Sequence, residues 1–284
     1  MRSLRPAGSP NGSAPDPEAK IEDRHLCRSP YTLDLIGLGP GNSAGLTLDA
    51  ISGLARAKAV IGYKLYVDQT RPFLTEDCQV YASGMTKEVT RANMALDMAF
   101  DGVPMAVVSG GDSGIYAMAG AVYEMAAKRR LPLGPKPGKL LIRVLPGVPA
   151  VISAAALLGA PLTHDFCAIS LSDLLTPWEL IEKRLRLAAE AELVIALYNP
   201  KSKSRSWQLS RAAEILLEKL RPKTPAGLAC RCGRPGQETR LITLDQLGAE
   251  DVDMQTLIIV GSPKTFVYEG MLITPRGYAD KYCP

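Results

Sequence analysis

Two glycine-rich turns hold the residues best suited to chemistry in this chain of 284 residues. The segment Ser109-Gly110-Gly111-Asp112-Ser113-Gly114-Ile115-Tyr116 follows a short apolar run. Its glycines let main-chain groups come close to a ligand, and Asp112 sets a carboxylate at a strand's end. Such a carboxylate accepts hydrogen bonds from hydroxyl or ammonium groups, which suits S-adenosylmethionine better than a phosphate ester. The same residues also describe a tight turn in which Asp112 bonds to its own backbone. The earlier turn, Gly37-Leu38-Gly39-Pro40-Gly41, does not read as a dinucleotide site, because Pro40 breaks the register and residues 60–63 offer no carboxylate for a ribose. Nor does a Gly-Lys-Ser/Thr triplet close a Walker loop.

Other reactive side chains are sparse. Of two histidines, His25 lies near the start, while His164 stands beside Asp165 in Gly-Ala-Pro-Leu-Thr-His-Asp-Phe and is the acid/base candidate; a hydrogen-bonded structural histidine is the competing reading. Six cysteines are scattered without a disulfide framework. Cys230 and Cys232 form one close pair lacking the further ligands of a closed zinc site, so no metal is expected. Trp178 and Trp207 read as packing residues rather than cofactor platforms.

The turns work only if regular elements hold them. Residues 33–38 read as a buried strand, followed over 46–57 by a helix in which Leu48, Ile51, Leu54 and Ala55 share a face and Thr47 is the N-cap. Strand patterns at 59–62, 105–109 and 140–145 alternate with helix patterns at 86–100 and 115–128, which predicts βαβ units around a parallel sheet. Beyond Pro146 come a helix at 150–158, a strand at 167–171, a helix at 177–191, a strand at 193–198 and a helix at 206–220. The strands at 226–231, 239–244 and 256–260 have no long helix between them, which predicts antiparallel pairing at this end. The expected fold class is α/β: two α/β domains, 31–148 and 149–275, with an interdomain cleft, a 1–30 extension in front and a 276–284 tail behind.

Composition narrows the function classes. With 46% hydrophobic residues the chain can build a substantial core. Thirty-three basic against 29 acidic residues give +4 without a dense basic run, so a nucleic-acid partner is not expected, whereas a polyanionic small substrate is compatible. No window approaches the ~18 apolar residues of a membrane span. The first 30 residues, with five prolines among serine, glycine and charges, cannot form a continuous helix and contain no apolar signal region. A reducing cytoplasmic location is expected.

Taken together, GLGPG at 37–41, SGGDSGIY at 109–116, LPGVPA at 145–150, GAPLTHDF at 159–166, LYNPKSKSR at 197–205 and TPAG at 224–227 resemble the tetrapyrrole methylase family of class III methyltransferases. Within it, GYKLYVD at 62–68, GMTKEVTRA at 84–92 and ISLSDLLTPWE at 169–179 are similar to the enzymes that methylate C-17 of precorrin-3B or cobalt-factor III during ring contraction in cobalamin biosynthesis. The resemblance implies a homodimer with S-adenosylmethionine in the interdomain cleft. It places Pro40, Gly110, Gly111, Asp112, Ile115, Pro149, Ala150, Asn199, Cys232 and Thr256 at the cofactor. Pro149 stands where relatives have threonine, and so lacks a hydroxyl and an N–H there. Asn42, Lys64, Lys87, Arg91, Lys201, Ser202 and Arg205, basic or hydrogen-bonding residues in or beside these strings, are the candidates for holding the tetrapyrrole's carboxylates. Alternatives are a methylase of another ring carbon, or a cofactor-binding subunit without activity.

Overall fold

The structure is a computed structural model and describes residues 31–84, 87–202 and 205–282. The expected extension over 1–30, with His25 and Cys27, lies outside the described residues, as does Thr86, where the second helix was expected to start.

The first half runs β1 (Tyr31–Gly37), α1 (Leu48–Arg56), β2 (Ala59–Tyr63), α2 (Lys64–Thr70), β3 (Gln79–Ser83), α3 (Glu88–Phe100), β4 (Met105–Ser109), α4 (Met118–Lys128) and β5 (Leu140–Leu145). The five strands form one parallel sheet in the order β3-β2-β4-β1-β5. Alternate residues of β1 feed opposite faces: Leu33 and Leu35 pack with Ala92, Leu96 and Val122 of α3 and α4, while Ile36 packs with Ala50, Leu54 and Val67 of α1 and α2. Thr47 caps α1, accepting the Ala50 N–H at 3.1 Å. Asp34 is buried on the same sheet and is gripped by the Arg143 fork across the β1–β5 pairing at 2.6 and 2.7 Å.

α2 and β3 were not read from sequence. Each is short, and β3 has only partly buried or exposed residues, so no clear periodicity marks it. The helix after the second glycine turn begins at Met118 rather than at Ile115, because Asp112 accepts the Gly114 N–H within the turn and Tyr116 holds a positive φ.

The second half runs α5 (Ala150–Leu158), β6 (Gly159–Ala160), β7 (Phe166–Ser170), α6 (Trp178–Glu190), β8 (Val194–Tyr198), α7 (Gln208–Leu217), β9 (Pro225–Cys230), β10 (Glu238–Thr243), α8 (Leu244–Leu247), β11 (Thr256–Val260), β12 (Phe266–Tyr268), β13 (Met271–Ile273) and α9 (Tyr278–Tyr282). Its main sheet has the order β10-β9-β11-β8-β7; β7 and β8 are parallel and the other pairs antiparallel, as the missing crossover helices required. α6 and α7 cover one face and α5 the other. Trp178 and Trp207 meet edge to face at 4.8 Å, and the Trp178 indole N–H donates to Glu182. The small sheet β12-β13-β6 had no sequence signal beyond strands of two or three residues. Among the described residues no helix is long and apolar enough to cross a membrane.

Candidate active site

β1 and β4 are neighbours in the first sheet, yet the helices that follow them, α1 and α4, lie on opposite faces. Outside the carboxyl ends of such a pair a crevice opens, which is where open α/β sheets bind ligands. Both glycine turns sit at those ends. Gly39 and Gly111 exchange backbone hydrogen bonds at 3.0 and 2.8 Å, so the turns are fastened to each other. The turn after β5 closes in from the side: a Cβ on Gly147 would lie 2.2 Å from the Gly111 carbonyl oxygen, so three backbones cross where no side chain fits.

Asp112 locks this crossing. One carboxylate oxygen accepts the Gly114 N–H at 2.8 Å and the other the Gly147 N–H at 3.1 Å. The Asx-type bond weighed from sequence is therefore present. The carboxylate still faces the cleft, and its remaining lone pairs can accept from a ligand.

The second half supplies the opposite wall. β11 runs antiparallel to both β8 and β9, with Thr256 opposite Cys230 and Ile258 opposite Leu197. The carboxyl ends of β8 and β9 and the start of β11 therefore share one edge, which carries Asn199, Cys232 and Thr256. The result is a cleft of about 930 Å³, part of it open to solvent.

All ten residues placed at the cofactor from sequence line this cleft: Pro40, Gly110, Gly111, Asp112 and Ile115 from the first half, Pro149 and Ala150 at the start of α5, and Asn199, Cys232 and Thr256 beyond it. Pro149 also has a backbone role, since its carbonyl accepts the Ser153 hydroxyl at 3.1 Å. Burial raises the Cys232 thiol above its ordinary range.

Sequence reasoning missed the aromatic and basic part of the lining. Tyr66, Tyr116 and Tyr198 all face the cleft. The Tyr116 and Tyr198 rings are 5.0 Å apart. The Tyr116 hydroxyl donates to the Ala168 carbonyl at 3.0 Å, whereas the Tyr198 hydroxyl accepts the Val151 N–H at the start of α5 at 3.1 Å. Burial raises both phenols, so both keep their protons at neutral pH. Tyr116, Asn199 and Arg231 hold φ near +50°, unusual for a tyrosine or an arginine and a form of strain that collects at functional sites. All three tyrosines lay inside the quoted strings, but nothing in their spacing distinguished them from packing residues. Arg231 and Arg234 reach the cleft only through the turn after β9.

The expected substrate residues are not among those lining this cleft. Arg91 is buried, with its guanidinium donating to the Ser83 hydroxyl, the Gly84 carbonyl and the Met118 sulfur, so it fastens α3. Lys64 pairs with Asp68 one turn along α2, and Lys201 pairs with Asp251. Lys87 is exposed at the start of α3. The Asn42 side chain caps the turn at 43–45, accepting the Gly45 N–H at 2.8 Å. Ser202 and Arg205 form a backbone bridge. Arg205 comes nearest, bonding Ser172 and the sulfur of Met254, which is itself a lining residue.

His164 is also absent from the cleft. It precedes β7, and the residue that pairs with the cleft tyrosine Tyr198 is Ser170 at the far end of that strand. Asp165 and the strand residues Phe166 to Ile169 lie between. Its imidazole is half exposed, and Nδ1 accepts the Asp165 N–H at 2.8 Å, which is a local structural role.

Comparison with known proteins agrees with this architecture. A family model described as tetrapyrrole (corrin/porphyrin) methylases matches residues 32–248. A probable cobalt-factor III C(17)-methyltransferase of Salmonella typhimurium is 46% identical over 246 residues, spanning 87% of this chain and 99% of that protein. A precorrin-3B C(17)-methyltransferase of a Sinorhizobium species is 44% identical over 254 residues, spanning 87% and 97%. The crystal structure of the methyltransferase CobJ superposes with a TM-score of 0.80 at 39% identity, covering 86% of this chain and all of that one. On the match to two-thirds and more of its length and on the shared fold, this chain belongs to the tetrapyrrole (corrin/porphyrin) methylases.

Proposed function

We propose that this chain is an S-adenosylmethionine-dependent methyltransferase that methylates C-17 of precorrin-3B or cobalt-factor III in cobalamin biosynthesis, in a step coupled to contraction of the macrocycle. The observation that carries the reading is the convergence of ten motif-assigned residues, from segments as far apart as Pro40 and Thr256, on one cleft. Relatives bearing those two substrate names align over almost their whole length. Residues 31–148 and 149–275 act in this reading as the two units that enclose the ligands.

The walls fit the cofactor. Main chain at Gly110 and Gly111 and the open lone pairs of Asp112 meet its polar groups, while Ala150, Cys232 and Leu257 offer apolar surface for a nucleoside base. When bound, S-adenosylmethionine supplies an electrophilic methyl group on a sulfonium. The chain's task is then to align an electron-rich pyrrole carbon with that methyl and to exclude water, and no side-chain nucleophile is needed. Contraction needs proton transfers. Tyr198 Oη is placed for this, because it accepts from Val151 and keeps its own proton to donate into the cleft, whereas Tyr116 has committed its proton to Ala168.

The reading also carries over a homodimer working in the cytoplasm with a small-molecule partner and no nucleic acid. Calorimetric titration with S-adenosylhomocysteine, followed by incubation of labelled cofactor with metal-free and cobalt-containing trimethylated substrates, tests it. Gain of one methyl with a change in absorbance supports the assignment. Cofactor binding with no transfer to either substrate rejects the ring position, and absence of cofactor binding rejects the enzyme reading.

A further inference from the structure

We propose that Arg234 is a carboxylate anchor of the cleft, its guanidinium preset by the first glycine turn and by Tyr66 to grip one carboxylate of a bound ligand. The proposal rests on the functional reading above, in which both the macrocycle and the amino-acid end of the cofactor carry carboxylates. Arg231 and Arg234 are the two cationic side chains lining the cleft among the described residues. They differ in what holds them. Arg231 has a carboxylate, Asp253, at 3.6 Å. Arg234 has no acidic partner among the described residues. Its Nε donates to the Pro40 carbonyl at 3.1 Å, and its guanidinium carbon stands 5.7 Å from the centre of the Tyr66 ring.

That arrangement ties down one edge of the guanidinium and leaves the two terminal amino groups without a hydrogen bond to any described residue. A planar fork held in this way matches the two oxygens of a carboxylate, and little rotamer freedom is left to lose on binding. The backbone around it is shaped to the side chain. Gly41 holds φ at +124°, and a Cβ there would lie 2.4 Å from Arg234 Nε and 2.7 Å from its Cγ. The contact also crosses the cleft: the turn at 231–236 follows β9, whereas Pro40 and Gly41 follow β1. A mere latch would need only the Nε bond and would leave a partly buried cation in the cleft without a counter-charge, which is costly. A ligand carboxylate supplies that charge.

Arg234→Gln and Arg234→Lys in the full chain, each titrated with S-adenosylhomocysteine by calorimetry and with the macrocycle by absorbance, test the proposal. Arg234→Gln is expected to weaken one of the two ligands about tenfold or more, the usual worth of hydrogen bonds to a charged group, and Arg234→Lys to recover only part, because it keeps the charge and loses the fork. Loss confined to the macrocycle assigns a macrocycle carboxylate; loss confined to S-adenosylhomocysteine assigns the cofactor's. The unaltered protein gives a check that needs no variant. Macrocycle methyl esters or 5′-methylthioadenosine, which lack the carboxylates, should bind more weakly, and for the ligand assigned, that residual affinity should not change with Arg234→Gln. Equal affinities of the parent protein and Arg234→Gln for both ligands would overturn the anchor alone. So would a common loss of affinity and thermal stability fully restored by Arg234→Lys, the behaviour of a latch. No binding of S-adenosylhomocysteine by the unaltered protein would overturn the functional reading, and the anchor with it.

Discussion

Replacing Gly37 by alanine tests whether the three strand-end turns form one rigid crossing. Gly37 closes β1, and an ideal Cβ there would stand 2.5 Å from the Gly147 nitrogen, 2.7 Å from the Gly111 carbonyl oxygen and 2.9 Å from the Gly147 Cα. Ordinary contact begins at 3.4 Å, so the nearest approach is about 0.9 Å too short. Each of these atoms is backbone, and no side chain can rotate to make room. Relief requires a turn to move by about 1 Å, in a region where overpacking costs typically 1–3 kcal/mol. The upper end, about 3 kcal/mol, applies to a clash with main chain. For a unit of this size that is a fall in Tm of roughly 6–12 °C. Because both displaced turns line the cleft, affinity for S-adenosylhomocysteine is expected to fall at least about tenfold, in line with the steep cost of ångström-scale misplacement. Scanning calorimetry and ligand titration measure the two effects. Gly120→Ala is the control: in α4, with no atom within 4 Å of the added Cβ, it should stabilise by about 0.5–1 kcal/mol. A Gly37→Ala protein with unchanged Tm and unchanged affinity would refute the crossing.

Arg143→Ala leaves the buried Asp34 carboxylate without its fork, with Arg56 at 3.6 Å the remaining cation, and is expected to cost about 3 kcal/mol in urea unfolding. Tyr198→Phe removes the acceptor of the Val151 N–H; about 1 kcal/mol is lost at the start of α5, and a fall in product formation larger than the change in cofactor affinity would mark the proton-donor role. Burial pushes the Cys167 thiol up to about 11 and raises that of Cys232, so at pH 8 both carry little thiolate and iodoacetamide should modify them slowly. S-adenosylhomocysteine should protect Cys232, which lines the cleft, and leave Cys167 unaffected; equal labelling of Cys232 with and without it would remove Cys232 from the cofactor site.

Local chemistry accounts for what could be read in advance. The cap at Thr47, the span Ala150–Leu158 of α5 and the antiparallel pairing of β9, β10 and β11 follow from side-chain hydrogen bonding, periodicity and the absence of crossover helices, all of which short stretches of sequence contain. Gly110, Gly111 and Asp112, which the resemblance assigned to the cofactor, stood out because they occupy a strand-end turn, where backbone conformation dictates residue type: glycine where three chains cross, and aspartate where two N–H groups need an acceptor.

The surroundings of the basic residues were not legible, because charge at a motif says nothing of direction. Arg91 reads as a substrate candidate in GMTKEVTRA, yet α3 turns it inward onto Ser83 and Met118, and His164 precedes β7, at the end away from Tyr198. Arg234 shows the reverse case. In sequence it is one arginine in a turn, and it acquires Pro40 and Tyr66 as neighbours only when the second sheet closes on the first. The sequence by itself determined the α/β class and the parallel sheet, which depend on contacts near in the chain, and its motifs singled out ten residues that line one cleft. The tertiary structure alone decided which arginines and tyrosines face the cleft, because that depends on how two separately wound sheets place their strand ends against each other.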